Sequence, residues 1–356
     1  MTITGLAVRR IRLPLSRPWG ADVRHVTVLA VDVTTSDGDT GHGFSWTPSI
    51  GASAVQAMLE EDISGFVTRR DPDPEQLWDP LWRHLHEAGG GGITTIAMAG
   101  VDLALWDLVA RRRGESVVDA LGRRQPTAEV YGSGVNLHYP LDELCRQAER
   151  WVAAGYGAAK MKVGRPDLAE DVERVAAVRG ILGPDRRLMI DANQRWDLDT
   201  AIRALAELRA FDPAWIEEPL RADDLASHRI LREATDVPLA LGENLHTRYR
   251  FAEFFEAGVV QFAQPNVVRV GGITPFLRIA RDAEAAGVKV APHLLFELSG
   301  QLALTLPHPA LVENVEDASF SDLGALAEDP PVTVTGGELR FTSKPGLGIR
   351  FRDDRT

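Results

Sequence analysis

Four carboxylates fall in step along the second half of this 356-residue chain, each where a short apolar run meets polar residues. Asp191 closes Leu188-Met189-Ile190, Glu217 closes Ala214-Trp215-Ile216, Glu243 closes Leu239-Ala240-Leu241-Gly242, and Glu313 follows Leu311-Val312. Spacings of 26 residues separate Asp191 from Glu217 and Glu217 from Glu243, and a spacing of 70 separates Glu243 from Glu313. A strand-plus-helix unit takes roughly 25–30 residues, and parallel barrel strands aim their C-terminal ends at one face. Asp191, Glu217 and Glu243 therefore converge, and three oxygen ligands at one point describe a site for a hard divalent cation. The alternative, structural salt bridges at strand ends, weakens when three acids share one phase.

From about residue 128 the chain repeats apolar strand, polar turn and helix. Strands are expected at 128–133, 158–163, 187–191, 214–218, 238–243, 259–265, 288–293 and 311–315. Helices such as Asp167–Leu182, Asp199–Arg209 and Thr274–Ala286 fill the gaps. Eight alternating strands favour a closed α/β barrel over an open sheet. Ahead of it, 6–13 and 26–33 alternate as strands, 52–64 and 75–86 read as helices, and Ala97–Arg113 reads as an amphipathic helix after the flexible Gly89–Gly92 link. The expected division is an α+β unit over 1–125, a barrel over 126–325, and a hairpin-forming segment over 326–356 that returns to the first unit.

A net charge of −12 disfavours nucleic acid or an anionic membrane as partner. It leaves open a small anionic substrate, because a bound cation and a few lysines set the local field. Cys145 is the only cysteine, so neither an internal disulfide nor a thiolate cluster can form. No secretory signal and no apolar run of bilayer-spanning length is evident, which makes the cytoplasm the expected compartment.

Lys160-Met161-Lys162 is the second informative feature. Residues i and i+2 of a strand share a face, so both ammonium groups point inward while Met161 points out. Burial and mutual repulsion should both lower a lysine's pKa and make it a general base. The competing reading is a solvated pair at the barrel rim. Glu217-Glu218 is ambiguous; Glu217 keeps the 26-residue phase and is read as the ligand, with Glu218 behind it. His293, after Val290-Ala291-Pro292, ends another strand and would face the lysines.

The ordered set Lys160-Met161-Lys162, Asp191-Ala192-Asn193, Trp215-Ile216-Glu217-Glu218-Pro219, Gly242-Glu243-Asn244, Gly271-Gly272-Ile273-Thr274, Pro292-His293 and Glu313 resembles the enolase superfamily, specifically its mandelate racemase subgroup. Val101–Asp107 in the first unit is similar as well. The resemblance implies a modified TIM barrel, (β/α)7β, with an α+β capping domain. It implies Mg²⁺ on Asp191, Glu217 and Glu243, binding a substrate carboxylate. It further implies that Lys162 removes the α-proton, with Lys160 near the carboxylate oxygens and Glu313 bonded to the developing enediolate. Asn193 would contact the substrate's α-hydroxyl, and cap loops around Trp19–His25 and Thr47–Gly51, with Trp19 and His25 foremost, would choose the substrate. The family often forms homo-oligomers, dimers and octamers.

One position departs from the family's pattern. Where an aspartate usually pairs with the histidine, this chain has Asn266, which can orient His293 but cannot stabilise an imidazolium. A one-base reaction is then favoured: Lys162 abstracts, and His293 at most donates to a departing hydroxyl. The expected activity is Mg²⁺-dependent dehydration of a hydroxy acid, an acid sugar. The alternatives are racemisation or epimerisation on the same scaffold, or a carboxylate-binding homologue whose chemistry has decayed.

Overall fold

The computed structural model describes residues 1–20 and 22–353. Strands β1 (Ile3–Trp19), β2 (Val23–Thr35) and β3 (Thr40–Thr47) form an antiparallel sheet in sequence order. Pro14, expected to stop the first strand, is accommodated because β1 lies at the sheet's edge, where a missing N–H breaks no ladder. Helix Ile93–Arg113 crosses this sheet closely enough that a Cβ at Gly43 would sit 2.3 Å from the Gly100 carbonyl oxygen, and one at Gly41 2.0 Å from that of Ala104. Side chains at either position would push the helix away. The helix is not the one-sided amphipathic element expected over Ala97–Arg113. Fifteen of its 21 residues are buried, because the sheet covers one face and the barrel another. It is also long and apolar enough to cross a membrane by composition, but 83% of that window is buried in this core.

The second unit alternates as expected: β4 (Glu129–Ser133), β5 (Ala158–Lys162), β6 (Arg187–Asp191), β7 (Pro213–Glu217), β8 (Leu239–Leu241), β9 (Phe262–Ala263), β10 (Lys289–Val290) and β11 (Leu311–Val315). Seven helices separate them, and the parallel order runs β4 to β10, with β11 pairing back onto β4. This is a (β/α)7β barrel carrying an α+β cap. Aspartates following the strands cap the next helices: Asp197, not Asp199, accepts from the Thr200 N–H at 2.8 Å, and Asp167 caps Leu168–Leu182. Tyr131, Ala158, Met189, Trp215, Ala240 and Ala291 form an apolar layer inside the barrel. That layer is the floor on which the charged residues one step further along each strand rest.

Three strands stop earlier than expected. Gly242 leaves the ladder at φ 140°, and Pro265 and Pro292 have no N–H to continue it. Glu243, Asn266 and His293 consequently sit on loops beyond strand ends. The Gly89–Gly92 link is also not free: a Cβ at Gly91 would lie 2.8 Å from His246 Cβ, so the link packs on the loop after Glu243. The C-terminal segment divides its contacts. Hairpin β12 (Val332–Thr335) and β13 (Glu338–Phe341) extends the barrel sheet at β4, whereas Leu347 N–H donates to Asp107 and Arg9 donates to the Arg352 carbonyl at 2.8 Å.

Candidate active site at the barrel mouth

Register places the charges. Lys162 pairs with Asp191 across β5 and β6, and Asp191 with Glu217 across β6 and β7. Glu217 shares the inward face with Trp215, whereas Glu218, at φ 39°, turns away and accepts from Asn244 at 2.9 Å and Gln194 at 3.1 Å. Lys160 is 1% exposed, and its Nζ lies 2.7 Å from both Glu217 Oε1 and Glu313 Oε1 and 3.6 Å from Asp191. Lys162 Nζ donates to Asp191 Oδ2 at 2.5 Å. The lysines are therefore not a solvated rim pair: each is tied to carboxylates, and the repulsion of Lys160 on Lys162 is outweighed by Asp191.

Their acidity corrects the sequence expectation. Burial lowers the pKa of Lys160, but Glu217 and Glu313 outweigh it and hold it well above the usual lysine value. Burial likewise works against Lys162, and Asp191 raises it overall. The reasoning from desolvation omitted the number of acids that share the site. Burial pushes Glu217 up to about 7 despite Lys160, and burial acting on Glu313 is overcome by Lys160, which brings it down to about 2. Five carboxylates (Asp191, Glu217, Glu218, Glu243, Glu313) stand against two lysines and Arg269, 3.8 Å from Glu243. That excess of negative charge, on oxygen ligands of at most 12% side-chain exposure, fits a divalent hard cation. Ligand atoms of Glu217, Glu243 and His293 lie within 4.8 Å of one another; Asp191, expected as the third ligand, is not in that group, its Oδ2 being bonded to Lys162 with Lys160 3.6 Å away.

On the opposite flank, Asn266 Oδ1 accepts the N–H groups of Val268 and Arg269, both at 3.1 Å. Those two donors fix the amide, so its Nδ2 faces His293 Nδ1 at 3.2 Å. His293 Nδ1 must then accept, which leaves its proton on Nε2, 2.8 Å from Glu243 Oε2. The ring presents a donor, not a base, to the site.

Asn193, at φ 44°, donates its N–H to Asp191 Oδ1 at 2.8 Å and lines a cavity of about 310 Å³ with Lys162. Gly20 borders that cavity from the cap. Trp19 packs instead on Trp46 with ring centroids 6.4 Å apart, and His25 Nδ1 lies 3.0 Å from Arg12 within the cap sheet. Ala21, inside the expected Trp19–His25 loop, lies outside the described residues. Three polar supports were missed at the sequence level. Ser133 Oγ donates to Glu313 at 2.7 Å, Gln264 Nε2 donates to Glu217 at 2.7 Å, and Asn136 Oδ1 accepts the Lys162 N–H at 2.9 Å. Ser133 ends a strand, as Asp191 and Glu217 do, which was a usable signal; Asn136 lies in a loop and gave none.

Comparison with known proteins agrees with this architecture. Residues 3–122 match the family described as mandelate racemase / muconate lactonizing enzyme, N-terminal domain, and residues 143–355 match the family described as enolase C-terminal domain-like. The 3,6-anhydro-alpha-L-galactonate cycloisomerase of Streptomyces coelicolor is 40% identical, over 90% of this chain and 88% of its own. The L-talarate/galactarate dehydratase of Salmonella typhimurium is 35% identical, over 92% of this chain and 81% of its own. Among solved structures, a racemase from Streptomyces coelicolor A3(2) with bound magnesium superposes with a TM-score of 0.92 at 36% identity, covering 98% of this chain and 97% of that one. The L-talarate dehydratase from Polaromonas sp. JS666, complexed with Mg and L-glucarate, gives 0.88 at 35% identity, over 99% and 95%.

Proposed function

Because this chain belongs to the enolase superfamily, in its mandelate racemase/muconate lactonizing enzyme group, we propose that it is a Mg²⁺-dependent dehydratase of an acid sugar. The observation that carries the reading is the unequal pair of groups across the site: Lys162 on Asp191, and His293 held as a donor by Asn266. Asp191, Glu217 and Glu243 would hold Mg²⁺, which would supply positive charge beside the substrate carboxylate and offset the acids that keep Lys162 protonated. Lys162 then takes the proton α to the carboxylate. Lys160, kept charged by Glu217 and Glu313, stabilises negative charge gathering on the carboxylate oxygens. Glu313 is anchored by Ser133 and by the Leu294 N–H at 3.0 Å, which fixes Lys160 in turn. The β-hydroxyl, hydrogen-bonded by His293 Nε2–H, departs as water with the proton carried by the Lys162 ammonium, and the enol left behind tautomerises to a 2-keto-3-deoxy acid.

Turnover of a panel of aldonic and aldaric acids with Mg²⁺ in D₂O, followed by NMR, tests this. The expected product is a 2-keto-3-deoxy acid, formed only with the metal and lost on chelation. Epimerisation is the second reading, favoured by the likeness to the magnesium-bound racemase. Deuterium entering both epimers without loss of a hydroxyl would replace dehydration with it.

A further inference from the structure

The cavity beside Lys162 carries a charge pattern that α-proton removal does not require. It is lined by Lys162, Arg165, Arg195, His138 and Asn193, with Val135 and Leu137 as an apolar wall, and no carboxylate lines it among the described residues. This stands out in a chain of net charge −12 whose neighbouring cluster is crowded with acids. Lys162 joins the two regions: its Nζ is bonded to Asp191 on one side, and its side chain borders the cavity on the other.

Both guanidinium groups keep capacity for a ligand. Arg165 spends one Nη on the Tyr139 carbonyl at 3.1 Å and sets the other 3.4 Å from the half-exposed Glu170, and its side chain is 27% exposed, so the outer Nη can turn to a ligand. Arg195 is exposed, and its guanidinium makes no hydrogen bond or ion pair among the described residues. Its stem crosses Gly164, where a Cβ would fall 2.9 Å from Arg195 Cδ; Gly164 sits at φ 102° and leaves that path clear. A planar fork of donors with unspent N–H groups matches a carboxylate or phosphate oxygen pair.

We infer that Arg165 and Arg195 bind a second anionic group at the far end of the substrate, so that the enzyme acts on acid sugars charged at both termini. The substrate then runs from the acid cluster, past Lys162, to the two arginines. The inference rests on the acid-sugar function proposed above and specifies its substrate class. A terminal carboxylate, as in an aldaric acid, and a terminal phosphate, as in a phosphorylated aldonic acid, present the same chemistry to the pair.

The test compares a hexaric acid, its 6-phospho-aldonic counterpart and the plain hexonic acid of the same hydroxyl configuration. kcat/KM and, separately, Kd by titration with Mg²⁺ present are measured for wild type, Arg195→Gln and Arg165→Gln/Arg195→Gln. A charge-assisted bond predicts that one doubly charged acid exceeds the hexonic acid by roughly ten- to hundredfold in wild type, and that the double variant removes this preference. Which doubly charged acid leads tells carboxylate from phosphate. Arg195→Lys should keep part of the preference, and because Arg195 is exposed and unpartnered its replacement does not threaten folding. Equal handling of charged and uncharged termini in wild type overturns the inference, as does a preference that survives the double variant. Should no acid turn over, the dehydratase reading fails by itself, and the Kd ratios still decide the arginine pair.

Discussion

The two flanks of the site are built to different standards of charge. On the lysine flank, Lys160, Lys162, Asp191 and Glu217 stand on regular strands in register, and every ammonium meets a carboxylate within 2.7 Å. On the histidine flank, Glu243, Asn266 and His293 stand on loops beyond short strands, and a neutral amide occupies the position behind the ring. A carboxylate there would accept from Nδ1–H and leave Nε2 free to take a proton. The amide donates instead, and the ring is confined to giving a hydrogen bond. On the reading proposed above, the residue behind the ring, Asn266, is what turns the scaffold from two-base to one-base chemistry.

The comparison breaks first on the lysine. Lys162→Ala should lower kcat for dehydration by about 10³-fold or more, near the upper range for a positioned general base, while metal binding measured by titration persists. A loss of only a few fold would place the base elsewhere.

Asn266→Asp sharpens the other flank. The new carboxylate can accept from His293 Nδ1–H, although it must also keep the Val268 and Arg269 N–H groups. Exchange of solvent deuterium into the opposite epimer should rise on the order of tenfold over wild type, as the ring gains a basic Nε2. NMR of recovered substrate checks this; an unchanged isotope pattern would mean the amide does not set the histidine's role.

The smallest effect concerns how the cap braces the histidine flank. Asp102 on helix Ile93–Arg113 accepts the Thr274 hydroxyl at 2.6 Å and its N–H at 3.0 Å, at the start of the helix that follows the Asn266 loop. Burial pushes Asp102 up to about 7, against the hydrogen bonds from Thr274. The folded chain keeps this proton up to about pH 7, whereas the unfolded chain releases it near 4, so this group's contribution to stability falls as pH rises from about 4 to about 7. Asp102→Asn cannot ionise, and its Tm should vary less with pH across that window than wild type, with turnover changed by less than about threefold.

The sequence disclosed most of what regular periodicity controls. Strand positions and the phase of Asp191 and Glu217 follow from alternating side-chain direction and a repeating unit length, and these held because β5, β6 and β7 run to their charged ends. It disclosed less where the chain leaves the ladder: Glu243 and His293 keep their place in the order, but proline and a positive-φ glycine set their geometry. The acidity of the lysines was misjudged because local burial is visible in sequence while the sum of surrounding charges is not. Helix Ile93–Arg113 was misjudged for a related reason: two faces can be covered by different units, and periodicity registers only one.

The most direct test is α-hydrogen exchange in D₂O with Mg²⁺, comparing His293→Asn and Lys162→Ala on the same substrate. His293→Asn should lose dehydration yet still exchange the α-hydrogen, and Lys162→Ala should exchange none. Exchange that persists without Lys162 but vanishes without His293 would contradict the account.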